Sequence, residues 1–313
     1  MVDAPRARAG HAFGLALESD FDVLGLVPDA ATERLPECSL RLVEGAALTA
    51  EWAGAGARSV LVEGAPEAPA ATIDVHDELG YRLSARYFGT CVVRPGAARI
   101  DCAPPPVPAW RWQRFLVGRV LPFAAMHRGY EILHASAVAL DGRVLAFAGA
   151  RGWGKTSLAV NLVLGAGARL VTDDVLVLEV RDGRPFVHPG LGVTNLRPQE
   201  EQRLGAATAQ LGDRLGRTGQ TKSHYTVARE SRALPLARLH LLGGGDEDAA
   251  VIRPARVTPV QLLGNAFLVG AREPASLAHL LATCGTVAET VEIVEVARGL
   301  VEGPAELATR LAA

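Results

Sequence analysis

An eight-residue stretch of this sequence has the residue types and the spacing that bind phosphate groups. It consists of Gly149, Ala150, Arg151, Gly152, Trp153, Gly154, Lys155 and Thr156, and it fits the pattern GxxxxGK[ST]. Glycines let consecutive backbone N–H groups point at an anion where a helix begins. The lysine then reaches the β and γ phosphates, and the threonine hydroxyl is placed to ligate Mg²⁺. The stretch, with Ser157 at its end, predicts a site for ATP and Mg²⁺.

Two adjacent acids follow the next apolar run along the chain. Asp173 and Asp174 come directly after residues 170–172, so a strand would deliver them to the edge where the glycine-rich loop begins. Neighbouring residues of a strand point to opposite faces, so the two acids share one role only if the backbone turns there. We expect one acid to serve the metal and its water shell, and the other to accept the proton of an attacking hydroxyl.

Other polar residues are candidates with two interpretations each. His134 begins the strand predicted to pair with the strand that enters the loop; alone it would be structural, but beside the acids it would join a proton-handling cluster. Arg151 is equally compatible with a phosphate-stabilising arginine acting in cis and with a solvated surface residue. The polar stretch 214–229 either closes over the phosphates, binds an acidic substrate or forms a disordered surface loop. The candidate residues in this stretch are Arg217, Lys222, His224 and Arg229, and Arg197 is a weaker candidate of the same kind.

The pattern around these residues predicts a compact α/β unit. Hydrophobic periodicity and turn residues place strands at 134–140, 144–148, 168–172 and 175–180, with a buried helix at 155–164. Further along, strands are predicted at 236–242, 251–253 and 291–297. Helices are predicted at 199–211, 258–268, 274–281 and 304–311.

The N-terminal part has a different pattern, with short β-like runs separated by turn residues up to residue 100, including a run at 21–27. A proline-rich break at 103–108 ends this part. We therefore expect a β-rich domain at 1–108 and a second domain at 109–313. Residues 109–130 have helical spacing and form a connector, with Pro122 predicting a kink or two pieces. Its aromatic residues are expected to seal it onto the second domain.

Composition excludes several function classes. The 313 residues are 49% hydrophobic with a net charge of -2, and the 32 Lys and Arg are interspersed with 34 Asp and Glu. This balance gives no electrostatic basis for binding nucleic acid or a membrane. Four irregularly spaced cysteines indicate free thiols. The first 14 residues lack the apolar core of a signal peptide, so a cytoplasmic location is expected. A homo-oligomer remains open.

The order of His134, the glycine-rich loop and Asp173-Asp174 resembles the catalytic domain of HPr kinase/phosphorylase and of HPr-kinase-like proteins from bacterial biosynthetic clusters, including lasso peptide kinases. The resemblance covers roughly residues 129–180. It implies a P-loop fold related to phosphoenolpyruvate carboxykinase, and phosphorylation of a serine hydroxyl with ATP and Mg²⁺.

The resemblance also implies roles for individual residues. Lys155 and Thr156 match the nucleotide and metal residues, Asp173 matches the base, Asp174 matches its metal-side neighbour, and His134 matches the family histidine. Three positions depart from the family pattern, namely Arg151, Trp153 and Ser157, where the family has Ser, a small or aliphatic residue, and Glu. The phosphorylase reaction and HPr itself as substrate are therefore not expected.

These observations predict an α/β protein with a β-rich N-terminal domain and a P-loop kinase domain. The kinase transfers the γ-phosphoryl group of ATP to a hydroxyl, chiefly Ser or Thr of a peptide or protein, and the N-terminal domain recognises the acceptor. Two alternatives remain: a small-molecule alcohol kinase of a biosynthetic pathway, and a non-catalytic nucleotide-binding regulator.

Overall fold

The computed structural model describes residues 8–28, 33–218, 222–268 and 272–312. The chain is a mixed α/β protein with several sheets, as the sequence predicted at that level. It divides into two units, Met1–Tyr130 with Gly270–Arg272, and Glu131–Val269 with Glu273–Ala313. The first unit thus extends past residue 108 and includes the helical segment that the sequence assigned to the second domain.

The first unit is built on an eight-stranded sheet in the order β1-β2-β3-β8-β7-β6-β5-β4. The pairs β2–β3 and β3–β8 are parallel, and the other pairs are antiparallel. Its strands are β1 (Arg8–Ala12), β2 (Leu15–Ser19), β3 (Glu37–Leu42), β4 (Arg58–Ala65), β5 (Ala68–His76), β6 (Gly80–Ala85), β7 (Gly89–Val93) and β8 (Arg99–Ala103).

Two local predictions in this unit are wrong. Residues 21–27 form turns and loop instead of a strand, because the Leu24 N–H and the Asp22 carbonyl bond to the Gln113 side chain at 2.6 and 2.7 Å. A helix that the sequence did not predict, α1 (Gly45–Trp52), follows β3. Its Leu48 and Trp52 are buried in one apolar cluster with Val92 and Ala103, as residues four apart on a helix face can be.

The segment after the proline-rich break is helical in three consecutive pieces. These are α2 (Ala109–Phe115), a π turn (Leu116–Val120) and α3 (Leu121–Met126). Pro122 has no N–H to donate to the preceding turn, and the local widening of the helix lies directly before it. The predicted break at Pro122 is therefore present as a π turn.

Two aromatic residues of this segment, Trp112 and Phe115, pack against rings of the first unit. Trp112 lies 5.4 Å from Phe21, and Phe115 lies 6.3 Å from Phe88, measured between ring centroids. Both of these partners belong to the first unit, whereas the sequence led us to expect contacts of these side chains with the second domain.

The second unit contains a nine-stranded sheet. Its main path runs β12-β10-β11-β18-β14-β13-β9, and β20 pairs with both β18 and β19. The strands are β9 (Glu131–Leu133), β10 (Ala135–Leu140), β11 (Arg143–Gly149), β12 (Arg169–Thr172), β13 (Leu176–Arg181), β14 (Arg184–His188), β18 (Leu234–Gly244), β19 (Val251–Pro254) and β20 (Glu292–Arg298).

Helices cover both faces of this sheet. The helices of the unit are α4 (Lys155–Gly165), α5 (Pro198–Leu204), α6 (Pro259–Leu263), α7 (Pro274–Thr290) and α8 (Pro304–Ala312), and α5 continues into a 3₁₀ turn (Gly205–Gln210). Leu158 of α4 and Leu307 of α8 share one apolar cluster, whereas Leu262 of α6 and Leu280 of α7 share another. Each helix from α5 to α8 begins at a proline, the residue best suited to a first helical position.

Two helix predictions differ in length from the structure. Helix α7 extends to Thr290 because its apolar side chains at Leu280, Cys284 and Val287 continue the buried stripe. Helix α6 ends at Leu263, and it begins with a capping box in which Thr258 and Gln261 bond to each other's backbone N–H.

Strand polarity brings distant segments to one edge of the sheet. Strands β18 and β20 run parallel to β11, and β12 does so as well because β10 is antiparallel to both β11 and β12. The carboxyl ends of all four strands therefore meet at one edge. That edge carries Gly149, Asp173, Gly244 and Arg298.

A small three-stranded sheet forms part of the same unit. Strands β15 (Val193–Leu196), β16 (Arg214–Thr218) and β17 (Lys222–Thr226) pair in the order β15-β17-β16. Most of the polar stretch 214–229 thus lies in the antiparallel hairpin that β16 and β17 form. The expectation of a disordered loop is wrong for the described residues. Residues 219–221 of that stretch lie outside the described residues.

Glu201 of α5 holds this hairpin in place. Its carboxylate accepts hydrogen bonds from Tyr225 Oη at 2.6 Å, Ser223 Oγ at 2.8 Å and Arg217 Nη2 at 2.7 Å, and Arg214 Nη2 lies 3.3 Å away. Burial raises the pKa of Glu201, but these hydrogen bonds outweigh burial and lower the pKa to about 2. The charged carboxylate therefore stabilises the fold.

Glu201→Gln is expected to lower the free energy of unfolding at pH 7 by about 1.5 kcal/mol, the scale of a hydrogen bond to a charged group. Because the folded pKa lies below the unfolded value, the advantage of the wild type is complete above about pH 4.5 and is lost as the pH falls towards 2. Urea denaturation across this pH range measures it. Glu295→Gln, at a half-exposed pair with Arg253, is the control and should change little. Equal destabilisation at pH 7 and pH 3 would contradict the prediction.

All four cysteines are buried free thiols, as the sequence indicated. Among the described residues, none of the helices combines the length and the apolarity needed to cross a bilayer.

Candidate functional site

The predicted order of strand, glycine-rich loop and helix is present. Strand β11 ends at Gly149, the loop follows, and α4 begins at Lys155 after Gly154. Gly149 has φ of 137°, a conformation that L side chains rarely adopt, and a Cβ there would lie 2.5 Å from the Leu242 carbonyl oxygen. Its N–H donates to Asn265 Oδ1 at 3.0 Å. The start of the loop is thus packed against β18 and fixed by an asparagine from beyond α6.

Lys155 lies inside the loop. Its side chain is 5% exposed, and Nζ donates to the Gly149 and Ala150 carbonyl oxygens at 2.8 and 3.3 Å. Burial lowers the pKa of Lys155, while the negative charges of Asp174 and Asp173 oppose that change. The first N–H groups of a helix have no partner within the helix, so Lys155 adds a cation to a backbone end that already favours anions.

Asp173 connects three segments that are distant in sequence. Its Oδ1 accepts from Ser136 Oγ of β10 at 2.7 Å and from Thr156 Oγ1 of α4 at 2.8 Å. Its Oδ2 accepts from Thr194 Oγ1 of β15 at 2.8 Å and from the Asn195 N–H at 3.3 Å. Burial and the neighbouring Asp174 raise the pKa of Asp173, and the three hydroxyl donors oppose that change.

Asp174 lies in a different environment from its neighbour. The backbone turns at this residue, which has φ of 68°, and its side chain is 37% exposed with Lys222 Nζ 4.0 Å from Oδ2. His134 Nδ1 lies 2.8 Å from the Asp174 carbonyl oxygen and donates to it. The turn that would let adjacent acids share one site is therefore present, and His134 stabilises it through the backbone.

Three arginines lie in or beside the loop. Arg298, at the end of β20, donates from Nη1 to the Trp153 carbonyl oxygen at 3.2 Å. Arg197 follows β15, and its Nη2 lies 4.0 Å from the position that a Cβ on Gly152 would occupy. Arg151 is exposed, and its guanidinium has no ion pair within the described part of the chain. The loop thus lies among cations from three separate segments.

Most of the predicted site residues come together. The loop with Lys155 and Thr156, both acids and His134 lie at one edge of the sheet. Of the four basic residues predicted in the stretch 214–229, Lys222 faces the acids, whereas Arg217 is held by Glu201. His224 and Arg229 are buried. Lys155 and Lys222 are the two lysines of the sequence, whose other basic side chains are arginine or histidine.

Several residues of the site were not found from the sequence. Ser136 is the second residue of β10 and comes two positions after His134 in the sequence. This short spacing from a predicted site residue was a usable signal for Ser136. Thr194 and Asn195 follow a Gly-Leu-Gly turn that pointed only to a loop. Asn265 and Arg298 lie more than a hundred residues beyond the loop, and no local pattern connects them with it.

The donor set fits MgATP. Thr156 supplies a hydroxyl and Asp173 a carboxylate, the hard oxygen ligands that Mg²⁺ prefers. Lys155 and the first turn of α4 supply the cationic and N–H groups that phosphates require. In addition, Gly149 and Gly154 have φ of 137° and 85°, backbone conformations that favour glycine, and a Cβ at Gly149 would overlap the Leu242 carbonyl oxygen.

No protein-family model matches the sequence, and no curated protein matches it either. Among solved structures, the chain is similar to the Hpr(Ser) kinase/phosphatase from Coxiella burnetii, with a TM-score of 0.29 and 13% sequence identity. The match covers 57% of this chain and 92% of that chain. A TM-score this low does not establish a common fold, so function has to be inferred from the site itself.

Two glycines flank β11 and allow a matched test of the loop's packing. Both Gly142 and Gly149 have positive φ, but a Cβ at Gly142 would meet open space. Gly142→Ala should lower the free energy of unfolding by about 1 kcal/mol, the cost of the left-handed backbone. Gly149→Ala should lower it by about 3 kcal/mol or more, because φ of 137° is less accessible to alanine than φ of 74° and because the Leu242 carbonyl must also move. Urea denaturation compares them, and equal costs would refute the packing argument.

Proposed function

We propose that this protein is a kinase that uses MgATP to phosphorylate a hydroxyl group, with a Ser or Thr side chain of a peptide or protein as the acceptor. The observation that carries the proposal is the pair of unlike carboxylates beside the loop. Asp173 is bonded to the loop residue Thr156, and Asp174 next to it is accessible to solvent. An ATP-binding regulator needs the first carboxylate, but it has no use for the second.

The hydrogen bonds favour roles for Asp173 and Asp174 that are the reverse of the roles that the family resemblance implies. Both oxygens of Asp173 already accept bonds, and one donor is the predicted metal ligand Thr156. A base needs a free lone pair on the acceptor side, which the exposed carboxylate of Asp174 offers. We therefore assign the metal to the Thr156 hydroxyl, which Asp173 orients while serving the water shell of the metal, and we assign the proton of the acceptor hydroxyl to Asp174.

The remaining residues bind and neutralise the phosphate groups. Lys155 exchanges its carbonyl partners for phosphate oxygens, and Lys222 lies on the acceptor side beside Asp174. Mg²⁺ held by the Thr156 hydroxyl would neutralise part of the phosphate charge. As the acceptor oxygen bonds to the γ phosphorus, the bond from that phosphorus to its bridging oxygen breaks, and the hydroxyl proton passes to Asp174. His134 keeps the Asp174 backbone in place for this step.

We infer the acceptor class from the resemblance of the motif order to HPr-kinase-like proteins, a family that phosphorylates a serine residue. The exposure of Asp174 supports a large acceptor, because a kinase for small alcohols encloses its acceptor away from water. The closed pocket of such a kinase would leave both carboxylates buried.

The two lysines give a direct test of nucleotide binding. A lysine-selective acylating reagent should modify the accessible Lys222 rapidly and the buried Lys155 slowly, and MgATP should slow the reaction of Lys155 further, as read by peptide mass spectrometry. Lys155→Ala should abolish MgATP binding in calorimetry because it removes the cation inside the loop, whereas Arg253→Ala on an exposed strand should not. Full binding by Lys155→Ala would refute the nucleotide site.

The two carboxylates are separated by isosteric variants. Asp174→Asn should retain MgATP affinity and lose about a hundredfold or more in transfer rate, the usual contribution of a general base; asparagine also tolerates the left-handed backbone there. Asp173→Asn should raise the Mg²⁺ concentration needed for half-maximal activity. The reverse pattern would restore Asp173 as the base and Asp174 as the metal ligand.

Radiolabelled ATP offered with a peptide library, a set of small alcohols or water alone distinguishes the candidate functions. Transfer to Ser or Thr of a peptide is the expected result. Transfer to small alcohols alone would favour the metabolite kinase. MgATP binding without turnover on any acceptor would leave the regulator.

A further inference from the structure

Arg298 contacts both residues at the point where the glycine-rich loop joins α4. Its Nη1 donates to the Trp153 carbonyl oxygen at 3.2 Å, and a Cβ on Gly154 would overlap the same nitrogen. The guanidinium is half-buried. An arginine contributed by the last strand of the sheet is therefore packed against the backbone of the loop.

This contact fixes the direction of one peptide group. In a trans peptide the C=O and the N–H point in opposite directions, and the described chain contains no cis peptide. Because the Trp153 carbonyl points towards Arg298, the N–H of Gly154 points away from it. Gly154 has φ of 85° and directly precedes the first residue of α4, so the contact sets the orientation of the chain as it enters the helix.

The side chain of Trp153 holds the loop from a second strand. Its indole packs against Gly244 at the end of β18, where a Cβ would lie only 2.7 Å from Cη2, and it borders the apolar cluster that contains Phe147 and Leu158. Trp153 is thus anchored to β18 by its ring and to β20 by its carbonyl. The tryptophan that departs from the family pattern has a structural role in the loop.

We propose that Arg298 is a positioning residue that, together with Trp153 on Gly244, holds the loop in the backbone conformation that binds phosphate. The proposal rests on the proposed function for the identity of the ligand. The restraint that Arg298 places on the loop backbone, however, is a property of the protein without any ligand. Arginine suits this role because its planar fork can bond a carbonyl while lying flat against a glycine, which a lysine ammonium cannot do.

Hydrogen exchange of the nucleotide-free protein tests the hold on the backbone. The Leu158 amide donates to the Gly154 carbonyl at 2.9 Å, so its protection reports on the junction. Arg298→Gln should speed its exchange about tenfold, with Arg298→Lys intermediate. Arg253→Gln, on the adjacent strand β19 and 64% exposed, is the matched control and should leave the exchange unchanged. Unchanged exchange in Arg298→Gln would overturn the proposal.

A double-mutant cycle tests the contact itself. Gly154→Ala places a methyl group against Arg298, so part of its cost in urea denaturation should disappear when Arg298 is already Gln. The part due to the positive φ should remain. Strictly additive costs would show that Arg298 does not pack on Gly154 and would overturn the proposal. The cycle also uses Arg298→Lys, so that an unfolded Arg298→Gln protein leaves the contact measurable.

Measurement of MgATP affinity tests whether the restraint that Arg298 places on the loop backbone affects nucleotide binding. Arg298→Gln should weaken MgATP binding about tenfold, the scale of a lost hydrogen bond to a charged group, while the turnover rate at saturating ATP changes less. If the wild type does not bind MgATP, the proposed function fails, but exchange and the cycle still decide whether Arg298 holds the loop. If the wild type binds MgATP and Arg298→Gln binds it equally well, the positioning role fails alone.

Discussion

The carboxylate of Asp173 is the interaction on which the site depends. It collects hydroxyl groups from Ser136, Thr156 and Thr194, which belong to a strand of the main sheet, to the helix after the loop and to the small sheet. A carboxylate removed from water is costly unless its oxygens are bonded, and here four donors meet that need. The same bonds join three segments at one point. The need of the buried Asp173 carboxylate for hydrogen-bond donors therefore fixes which segments surround the loop.

The direction of the strands determines which residues this point can recruit. Four strands of the second unit end at the same edge, and the glycine-rich loop, Asp173 and Arg298 lie at or just beyond those ends. Ser136 near the start of the antiparallel strand β10 and Thr194 of the small sheet complete the site. This arrangement explains how Arg298 reaches a loop that precedes it by well over a hundred residues. Open α/β sheets commonly bind ligands at the carboxyl ends of their strands. The edge is therefore a place where residues from remote parts of the chain can act on one ligand.

Local sequence patterns predicted those features of the fold that depend on a few neighbouring residues. The glycine spacing, the apolar strand before the loop and the acids after β12 placed the loop and Asp173 correctly, because each depends on a few consecutive residues. Asn265 and Arg298 were out of reach, since their positions depend on strand order and not on neighbours in sequence. Residues 21–27 have strand-like composition, but bonds to Gln113 replace the ladder that a strand needs. The hairpin of β16 and β17 was hidden by its polar residues, because, among its strand residues, Tyr225 joins an apolar cluster while the hydrogen bonds of Glu201 hold the polar ones.

The bonds of Lys155 to the Gly149 and Ala150 carbonyl oxygens have a thermodynamic consequence for any anion that enters the loop. Such an anion competes with two acceptors that belong to the protein and are present at a fixed, high local concentration. Its affinity is therefore the difference between two sets of hydrogen bonds, and not the whole strength of the new set. Small monovalent anions gain little from that exchange, whereas a polyphosphate gains several charge-assisted bonds at once. If the protein binds MgATP as proposed, these two bonds of Lys155 favour ligands of high charge over monovalent anions.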